Sequence, residues 1–315
     1  MNMTRSEELY FIVNLLAGGG KARSKWEKFH EQLCAKKYKV HCNLTQSKGH
    51  AIELAQQAVR DGIKRIYIFG GDGTLNEVLN GVIENDHLLN PKLELIFLTA
   101  GSSCDVEKMF PQPKPLIDRI ESDRTYLVDV AKVVCHDVNG NQQTRYFLAN
   151  SSIGVISQAV ELFNQKTPFM SFLKRVNIDV AVIYAGLKNI LKFGNFGGEI
   201  VIDEQEKLSR TLKNLTIFKC PFFGGGMNYG IPTAYDDARL HIALMNQMNC
   251  LQTLMCIPAL YNGTILKKKQ AEYHQGNRVK VITQGLSVVV ETDGEIVGYP
   301  PCEYSILPKM LRLIV

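Results

Sequence analysis

The sequence predicts an α/β plus all-β fold, in which an α/β domain is followed by a β-sandwich. Up to about residue 110, apolar runs that suit strands alternate with amphipathic segments that suit helices. Strands that alternate with helices form a parallel sheet with both faces covered. The chain then becomes strand-rich, with turn residues between the strands, as in a sandwich. A length of 315 residues is enough for two such domains.

The first part of the chain alternates predicted strands with predicted helices. The first helix places Trp26, Phe29 and Leu33 on one face, whereas the strands are short apolar or alternating segments. In chain order the predicted elements are strand Leu9–Val13, helix Lys25–Lys37, strand Tyr38–Leu44, helix Gly49–Arg60, strand Lys64–Phe69, helix Leu75–Ile83 and strand Leu93–Leu98.

Three prolines between residues 111 and 115 interrupt regular structure between the two parts. After a short predicted helix over Leu116–Ser122, we place the domain boundary near 122–126, so that the first domain covers 1–124. The second part is predicted to contain one helical passage, Phe169–Leu191, and the strands Tyr126–Val134, Thr144–Ala149, Gly198–Asp203, Asn214–Lys219, Leu240–Met245, Arg278–Thr283 and Ser287–Glu291.

The composition excludes several classes of protein. The net charge is only +5, without the dense basic stripe that nucleic acid would require, so no nucleic-acid partner is expected. No uncharged apolar stretch reaches the roughly 18 residues of a transmembrane segment. The eight cysteines form no CxxC pair and no zinc spacing, as in free thiols of a reducing compartment. Acidic residues near the start argue against a signal peptide, so we expect a cytoplasmic protein.

Three of the predicted strands end in small residues, namely Asn14–Gly20, Gly70–Thr74 and Gly101–Ser103. The carboxyl ends of parallel strands meet at one edge of the sheet, where α/β proteins bind ligands. Glycine lets backbone N–H groups approach a phosphate, and the N-terminus of the next helix favours its charge. The pattern predicts a nucleotide site, although it matches neither the P-loop nor the GxGxxG motif.

Asp72 lies inside the second of these loops. A carboxylate would repel a phosphate unless a cation stood between them, and this favours Mg²⁺. The alternative is that Asp72-Gly73 is an ordinary turn pair and that Thr74 is the N-cap of the following helix.

The segment from Gly70 to Gly81, which reads GGDGTLNEVLNG, resembles the signature of the diacylglycerol kinase catalytic family. That family includes bacterial lipid kinases and the sphingosine and ceramide kinases. The resemblance covers nearly the whole chain, because other segments are similar to family elements in the same order. These segments are Asn14–Gly18, Gly101–Asp105, Gly224–Met227, Asp236–Leu240 and Asp293–Glu295.

The resemblance implies a particular version of the predicted fold. The first domain would be α/β and related to NAD kinases and phosphofructokinases, and the second, 125–302, would be a β-sandwich that binds the lipid. The last residues, 303–315, would return to complete the first domain.

The resemblance also implies the site residues. Asp72 would hold the catalytic Mg²⁺ through water, and Glu295 would be the general base. A structural Mg²⁺ would be held by the Asp237 side chain and the carbonyls of Ala234 and Arg239. The residues implied in ATP binding are Asn14, Leu15, Leu16, Ala17, Gly18, Thr45, Gly70, Gly71, Asp72, Gly73, Thr74, Leu75, Asn76 and Ser102.

Simpler interpretations remain open beside these. Asp293-Gly294 lies between β-rich segments and is typical of a hairpin turn, which would leave Glu295 a solvated neighbour. Asp236-Asp237 could be an ordinary loop pair. The chain also departs from the family pattern at Leu15, where the family has proline, at Cys104, where it has asparagine, and at Ala238, where it has glycine.

Together these features predict an ATP- and Mg²⁺-dependent lipid kinase that transfers the γ-phosphoryl group to a lipid hydroxyl, with diacylglycerol as the default acceptor. The expected site lies in the cleft between the domains. The alternatives are a kinase for a sphingoid base or another lipid, a catalytically silent nucleotide- or lipid-binding protein, and an NAD kinase-like enzyme.

A lipid kinase has to reach a membrane surface. The helical passage Phe169–Leu191 has an apolar stripe with Lys174, Arg175 and Lys188 nearby, which is compatible with an interfacial helix and equally with a buried one. The sequence therefore predicts peripheral, reversible membrane association, and it allows a homodimer.

Overall fold

A computed structural model describes residues 8–111, 113–165, 167–176 and 178–315. The strands are β1 Glu8–Val13, β2 Lys39–Leu44, β3 Arg65–Gly70, β4 Ile83–Glu84, β5 His87–Leu88, β6 Glu94–Thr99, β7 Tyr126–His136, β8 Gln142–Phe147, β9 Asn150–Gly154, β10 Phe196–Ile202, β11 Glu206–Phe218, β12 Phe222–Phe223, β13 Met227–Asn228, β14 Leu240–Asn246, β15 Ala271–Gly276, β16 Arg278–Gln284, β17 Val290–Thr292 and β18 Glu295–Ile314. The α-helices are α1 Lys21–Ala35, α2 His50–Arg60, α3 Asp72–Val82, α4 Val155–Asn164, α5 Pro168–Val176, α6 Ile178–Lys192, α7 Cys250–Leu254 and α8 Ile257–Tyr261.

The chain divides into two compact units. The first extends up to Val130 and includes Leu307–Val315, and the second is Ala131–Ile306. Strands β7 and β18 carry the chain from one unit into the other. The first seven residues of the predicted domain 1–124 lie outside the described residues.

The first unit is a parallel sheet in the order β18–β6–β3–β1–β2, to which β18 contributes its last residues through the pairing of Arg312–Ile314 with Glu94–Ile96. Its central strands are buried along almost their whole length, as expected when helices cover both faces of a sheet. Trp26 of α1 packs edge-on against Phe11 and Phe69. The predicted alternation of strands and helices is confirmed, and the strand directions place the ends of β1, β3 and β6 at one edge.

The second unit is built mainly of antiparallel strands. The sheet runs β15–β14–β11–β10–β16–β18, and β9 joins β11 to β17. Alternate residues of these strands fill an apolar core, including Ile200, Leu215, Ile242 and Val281.

The predicted helical passage Phe169–Leu191 consists of two helices, α5 and α6, and residue 177 between them lies outside the described residues. Met170, Ala181 and Ala185 are buried together in this helical pair. Leu173 and Tyr184 pack partly buried against this cluster, and Ile190 is also buried. Further apolar side chains of the pair are exposed, and these are Phe169, Phe172, Val176, Val180, Val182, Ile183, Leu187 and Leu191. Within the described residues, none of the helices has the length and apolar character required to cross a bilayer.

Candidate functional site

The three glycine loops of the first unit lie against one another. A Cβ atom on Gly101 would lie 2.6 Å from the Cα of Gly71, and one on Gly18 would lie 3.0 Å from the carbonyl oxygen of Ala100. The Ala100 N–H also donates to the Gly70 carbonyl at 2.7 Å. The structure therefore brings together the loops that the sequence assigns to a nucleotide, and glycine is required where their backbones touch.

Asn14 joins the first loop to the second. Its side-chain amide donates to the Thr74 hydroxyl at 3.0 Å, and its side-chain oxygen accepts from the Leu16 N–H at 3.0 Å. The alternative interpretation that Thr74 is the N-cap of the following helix is wrong, because α3 begins at Asp72 and its N-cap is Gly71. A Cβ on Gly70 would lie 2.5 Å from the Thr74 hydroxyl, so this turn also excludes a side chain.

The first turn of α3 is formed by Asp72, Gly73 and Thr74, three residues before the predicted helix start. The Thr74 N–H donates to the Gly71 carbonyl at 3.0 Å. N–H groups at a helix start that lack a carbonyl partner within the helix, together with the helix dipole, favour an anion. A Cβ on Gly73 would meet no atom within 4 Å, so the space beside this turn is open.

Asp72 binds the backbone of the third loop. Its two carboxylate oxygens accept from the N–H groups of Asp105, at 2.9 Å, and Val106, at 3.2 Å. Mg²⁺ is usually bound through one or two carboxylates together with substrate phosphates, and a single fixed carboxylate next to three loops rich in backbone N–H groups fits that donor set. Asp72 therefore has a structural role that the sequence did not reveal, in addition to the metal-binding role that remains a prediction.

Cys104, which departs from the family pattern, adopts a left-handed backbone conformation with φ of 47°. Asparagine tolerates this conformation better than most residues with a side chain. This preference accounts for the asparagine that the family pattern has where this chain has Cys104. Burial raises the pKa of the Cys104 thiol to about 12, and the Asp72 charge adds to the shift. The thiol therefore remains protonated and is not a nucleophile.

The other predicted ATP-binding residues differ in exposure. Leu75 and Asn76 are buried within α3, so their side chains belong to the core of the unit rather than to an open surface. Thr45 follows β2, and its N–H donates to the carbonyl of Val13, directly before the first loop. Leu15 and Ala17 pack against the apolar core, whereas Leu16 and Ser102 are exposed.

Glu77, within the signature segment, has a function that the sequence reasoning missed. Its carboxylate accepts from the N–H groups of Gly49, at 2.9 Å, and Ala51, at 3.1 Å, at the start of α2. It thereby caps a neighbouring helix, and nothing in the local sequence indicated the partner.

Asp293 and Gly294 form a two-residue hairpin between β17 and β18, with φ of 47° and 86°. The carboxylate of Asp293 accepts from the N–H groups of Ala149, at 3.1 Å, and Asn150, at 3.0 Å. The hairpin-turn interpretation therefore describes Asp293 and Gly294. Glu295 is the first residue of β18 and is half-buried, and its role as general base remains a prediction.

Glu291, two residues before this turn, is a buried carboxyl group that the sequence reasoning passed over. It is 2% exposed, and its Oε2 has no hydrogen-bond partner among the described residues. Burial raises its pKa well above the ordinary value, and the charges of Asp293 and Glu295 add to the shift.

The residues predicted to hold a structural metal ion, Ala234, Asp237 and Arg239, lie close together. The N–H groups of Arg239 and Ala234 donate to its carboxylate at 3.1 and 3.3 Å, and the Nε2 atom of His241 lies 2.8 Å from it. The ammonium group of Lys219, which the sequence reasoning did not single out, forms a buried ion pair with the same carboxylate. Burial alone would raise the pKa of Asp237, but His241 and Lys219 outweigh it and hold the pKa well below its usual range.

Comparison with known proteins adds the family. Residues 8–133 match the family described as the diacylglycerol kinase catalytic domain, and residues 159–315 match the YegS C-terminal NAD kinase β-sandwich-like domain. A Streptococcus pneumoniae protein named "Putative lipid kinase" is 26% identical over 96% of this chain and 96% of its own length. A Bacillus subtilis protein with the same name and the suffix YtlR is 23% identical over 96% of this chain and 98% of its own length.

Solved structures show the same architecture. The crystal structure titled as a "putative diacylglycerol kinase" of Bacillus anthracis aligns with a TM-score of 0.73 and 20% identity, covering 98% of this chain and 97% of that chain. Yeast NADH kinase in complex with NADH aligns with a TM-score of 0.53 and 10% identity, covering 98% of this chain and 83% of that chain. The predicted fold class is therefore confirmed, with an N-terminal α/β catalytic domain and a C-terminal NAD kinase-like β-sandwich.

The fold is that of an α/β catalytic domain followed by an NAD kinase-like β-sandwich. The chain belongs to the diacylglycerol kinase catalytic family, whose matching members carry the names of lipid kinases.

Proposed function

We propose that this protein is an ATP- and Mg²⁺-dependent lipid kinase that transfers the γ-phosphoryl group of ATP to the hydroxyl of diacylglycerol, giving phosphatidic acid. The observation that carries the proposal is the contact between the Gly71 and Gly101 backbones beside the open first turn of α3. It supports a phosphate cradle of backbone N–H groups at the edge of a parallel sheet. The names of the matching relatives, putative lipid kinases, support a lipid as the acceptor.

In this mechanism the chain supplies positioning and charge rather than covalent chemistry. The N–H groups of the three loops bind the phosphates, and Asn14 keeps the first loop in register with α3 through Thr74. Asp72 is the residue that would hold Mg²⁺, and the ion would supply positive charge to offset that of the phosphates. Glu295 accepts the proton of the lipid hydroxyl as it attacks.

The proposal is tested by incubating the full chain with γ-labelled ATP, Mg²⁺ and one lipid at a time in detergent micelles. The lipids are diacylglycerol, monoacylglycerol, sphingosine and ceramide. We expect label in phosphatidic acid. Label in the sphingosine product alone would show that the acceptor is sphingosine rather than diacylglycerol. Incubation with NAD⁺ in place of lipid tests the NAD kinase-like alternative. No labelled product with any acceptor, while ATP still binds, would favour a silent binding protein.

Two variants assign the chemistry. Glu295→Gln removes the proposed base, and we expect the turnover number to fall by about 100-fold or more, since general bases contribute 10²–10⁴-fold. The matched control is Glu303→Gln on the same strand, because Glu303 is exposed and pairs only with the exposed Lys280 among the described residues. Asp72→Asn removes the charge that would hold Mg²⁺ while keeping one oxygen that can accept a backbone hydrogen bond.

We also propose that the exposed apolar face of α5 and α6 contacts the surface of an anionic membrane. Phe172 and Val176 are 61% and 66% exposed, and Arg175 lies between them on the surface. A basic helix with an exposed apolar face binds at the boundary between headgroups and acyl chains. The proposal accounts for how a chain of this family would reach a lipid substrate.

Vesicle flotation tests this contact. The wild type should float with phosphatidylglycerol vesicles and less with phosphatidylcholine vesicles, and Phe172→Gln with Val176→Gln should remain at the bottom of the gradient. The control is Val138→Gln, which removes an exposed apolar side chain from the connection between β7 and β8. Equal flotation of all three proteins would contradict the proposal.

A further inference from the structure

The second unit contains a buried ion pair between Lys219 and Asp237. Lys219 directly follows β11 and is 1% exposed, and its ammonium group contacts the Oδ1 atom of Asp237. Its backbone N–H donates to the Ala149 carbonyl at 2.8 Å, which fixes the start of the side chain. A lysine is almost never fully buried unless its charge is paired. The burial of Lys219 therefore depends on its ion pair with Asp237.

The remaining acceptor positions of Asp237 are also used. The Arg239 N–H donates to Oδ1 at 3.1 Å, and the Ala234 N–H donates to Oδ2 at 3.3 Å. The Nε2 atom of His241 lies 2.8 Å from Oδ2, while its Nδ1 lies 2.7 Å from the Tyr273 hydroxyl. An ionised carboxylate only accepts hydrogen bonds, so Nε2 is the donor of the pair.

These residues do not fit the structural Mg²⁺ that the family resemblance implies at Asp237. Mg²⁺ requires six oxygen ligands in a near-ideal octahedron. Each oxygen of the Asp237 carboxylate instead accepts from two N–H donors, Oδ1 from Lys219 and Arg239 and Oδ2 from Ala234 and His241. Its roughly four lone-pair positions are therefore all occupied, whereas Asp72 accepts from two backbone N–H groups. The Lys219 ammonium group already neutralises the carboxylate and would repel a divalent cation placed beside it.

We propose that the Lys219 ammonium group takes the place of a structural metal ion in this chain. It supplies the positive charge that holds the loop from Ala234 to Arg239 against β11, and the His241 side chain contacts the second carboxylate oxygen. The loop is therefore ordered without a divalent cation. Any Mg²⁺ requirement of the protein then belongs to the nucleotide alone.

The test measures the thermal unfolding midpoint of the full chain without nucleotide, after treatment with a chelator and during titration with MgCl₂. We expect the wild-type midpoint to be independent of Mg²⁺. Lys219→Met should lower the midpoint by about 10 °C, because it leaves a half-buried carboxylate without its partner. Adding Asp237→Asn to Lys219→Met should recover part of that loss, because it removes the uncompensated charge.

The matched control is Lys213→Met, on β11, the strand that Lys219 directly follows. Lys213 is also buried, but its ammonium group donates to the Phe193 carbonyl rather than to a carboxylate. Adding Asp237→Asn to this control should recover nothing. Recovery that is equal in the two pairs would overturn the proposal, because it would not depend on the Lys219 charge.

The proposal is also overturned if Mg²⁺ raises the wild-type midpoint and Asp237→Asn abolishes the rise while Asp72→Asn preserves it. If Lys219→Met does not fold, Mn²⁺ binding to the nucleotide-free wild type, followed by electron paramagnetic resonance, decides the question. Bound Mn²⁺ that disappears in Asp237→Asn overturns the proposal, and the absence of such binding supports it. None of these measurements depends on kinase activity, so they separate this proposal from the lipid kinase function.

Discussion

The backbones of Gly71 and Gly101 touch, and a Cβ atom on Gly101 would lie 2.6 Å from the Gly71 Cα. Gly101→Ala should therefore force the second and third loops apart, at a cost of about 1–3 kcal/mol in the free energy of unfolding. If these loops bind phosphates, the affinity for ATP should also fall. Chemical denaturation and calorimetric titration with ATP measure the two effects.

Gly73→Ala separates the stability of the second loop from its function. Its Cβ would meet nothing within 4 Å, and alanine at this helical position should raise stability by up to about 1 kcal/mol. The same methyl group would stand beside the N–H groups of the first turn of α3 and should weaken ATP binding. Gly186→Ala in α6 is the control, since its Cβ also meets nothing and ATP binding should be unchanged. Equal ATP affinity of both variants would argue against a phosphate at α3.

Cys104 and Ala238, two of the departures from the family pattern, both adopt left-handed backbone conformations, with φ of 47° and 55°. Cys104→Asn and Ala238→Gly should each stabilise the protein by about 1 kcal/mol, since asparagine and glycine occupy this region at lower cost. The control is Ala159→Gly inside α4, which should destabilise by a similar amount. A loss of stability in both test variants would show that side-chain packing outweighs backbone strain.

Part of the fold could be predicted from the sequence. Apolar periodicity located β1, α1 and β6 to within a few residues. It missed β9, Asn150–Gly154, because that strand is buried through hydrogen bonds rather than apolar side chains. The Ser151 hydroxyl donates to the Glu291 carbonyl at 2.6 Å, and the Ser152 hydroxyl lies 3.0 Å from that of Thr216. A polar strand of this kind gives no hydrophobic pattern.

The site shows a similar division. The glycine loops could be predicted because the small residues that define each loop are neighbours in the sequence and directly follow an apolar strand. The partners of Asp72, Glu77 and Asp237 could not, because each carboxylate binds groups supplied by another part of the chain. The resemblance supplied a role for Asp237, but the identity of its partner, Lys219, depends on the tertiary structure of this particular chain.

Glu291 predicts a pH dependence of stability. Because its pKa is raised on folding from the ordinary 4.5, the folded protein holds the proton more tightly than the unfolded chain. The contribution of this group is therefore fully present below about pH 4.5 and is lost as the pH rises towards the raised pKa, by up to about 1.4 kcal/mol per pH unit. Glu291→Gln should remove this loss.

The measurement is the free energy of unfolding of wild type and Glu291→Gln over this pH range. The advantage of the variant should grow as the pH rises above about 4.5 and should level off once the pH passes the raised pKa of Glu291. Glu303→Gln, which changes an exposed carboxylate, should show no such growth. A constant difference between wild type and Glu291→Gln would mean that Glu291 does not titrate differently in the folded protein.

Asp293 and Glu295 lie two residues apart, yet their substitution should have opposite consequences. Asp293→Ala removes the acceptor of the Ala149 and Asn150 N–H groups and places alanine in a left-handed conformation. It should cost about 1–3 kcal/mol of stability, because buried donors lose their partner. Asp293→Asn keeps the conformation and one acceptor and should cost less. If Glu295 is the base, Glu295→Gln should instead leave the unfolding midpoint nearly unchanged while the turnover number falls. Unfolding curves and single-turnover kinetics on the same preparations distinguish the two roles, and a large loss of stability in Glu295→Gln would assign Glu295 to the turn rather than to proton transfer.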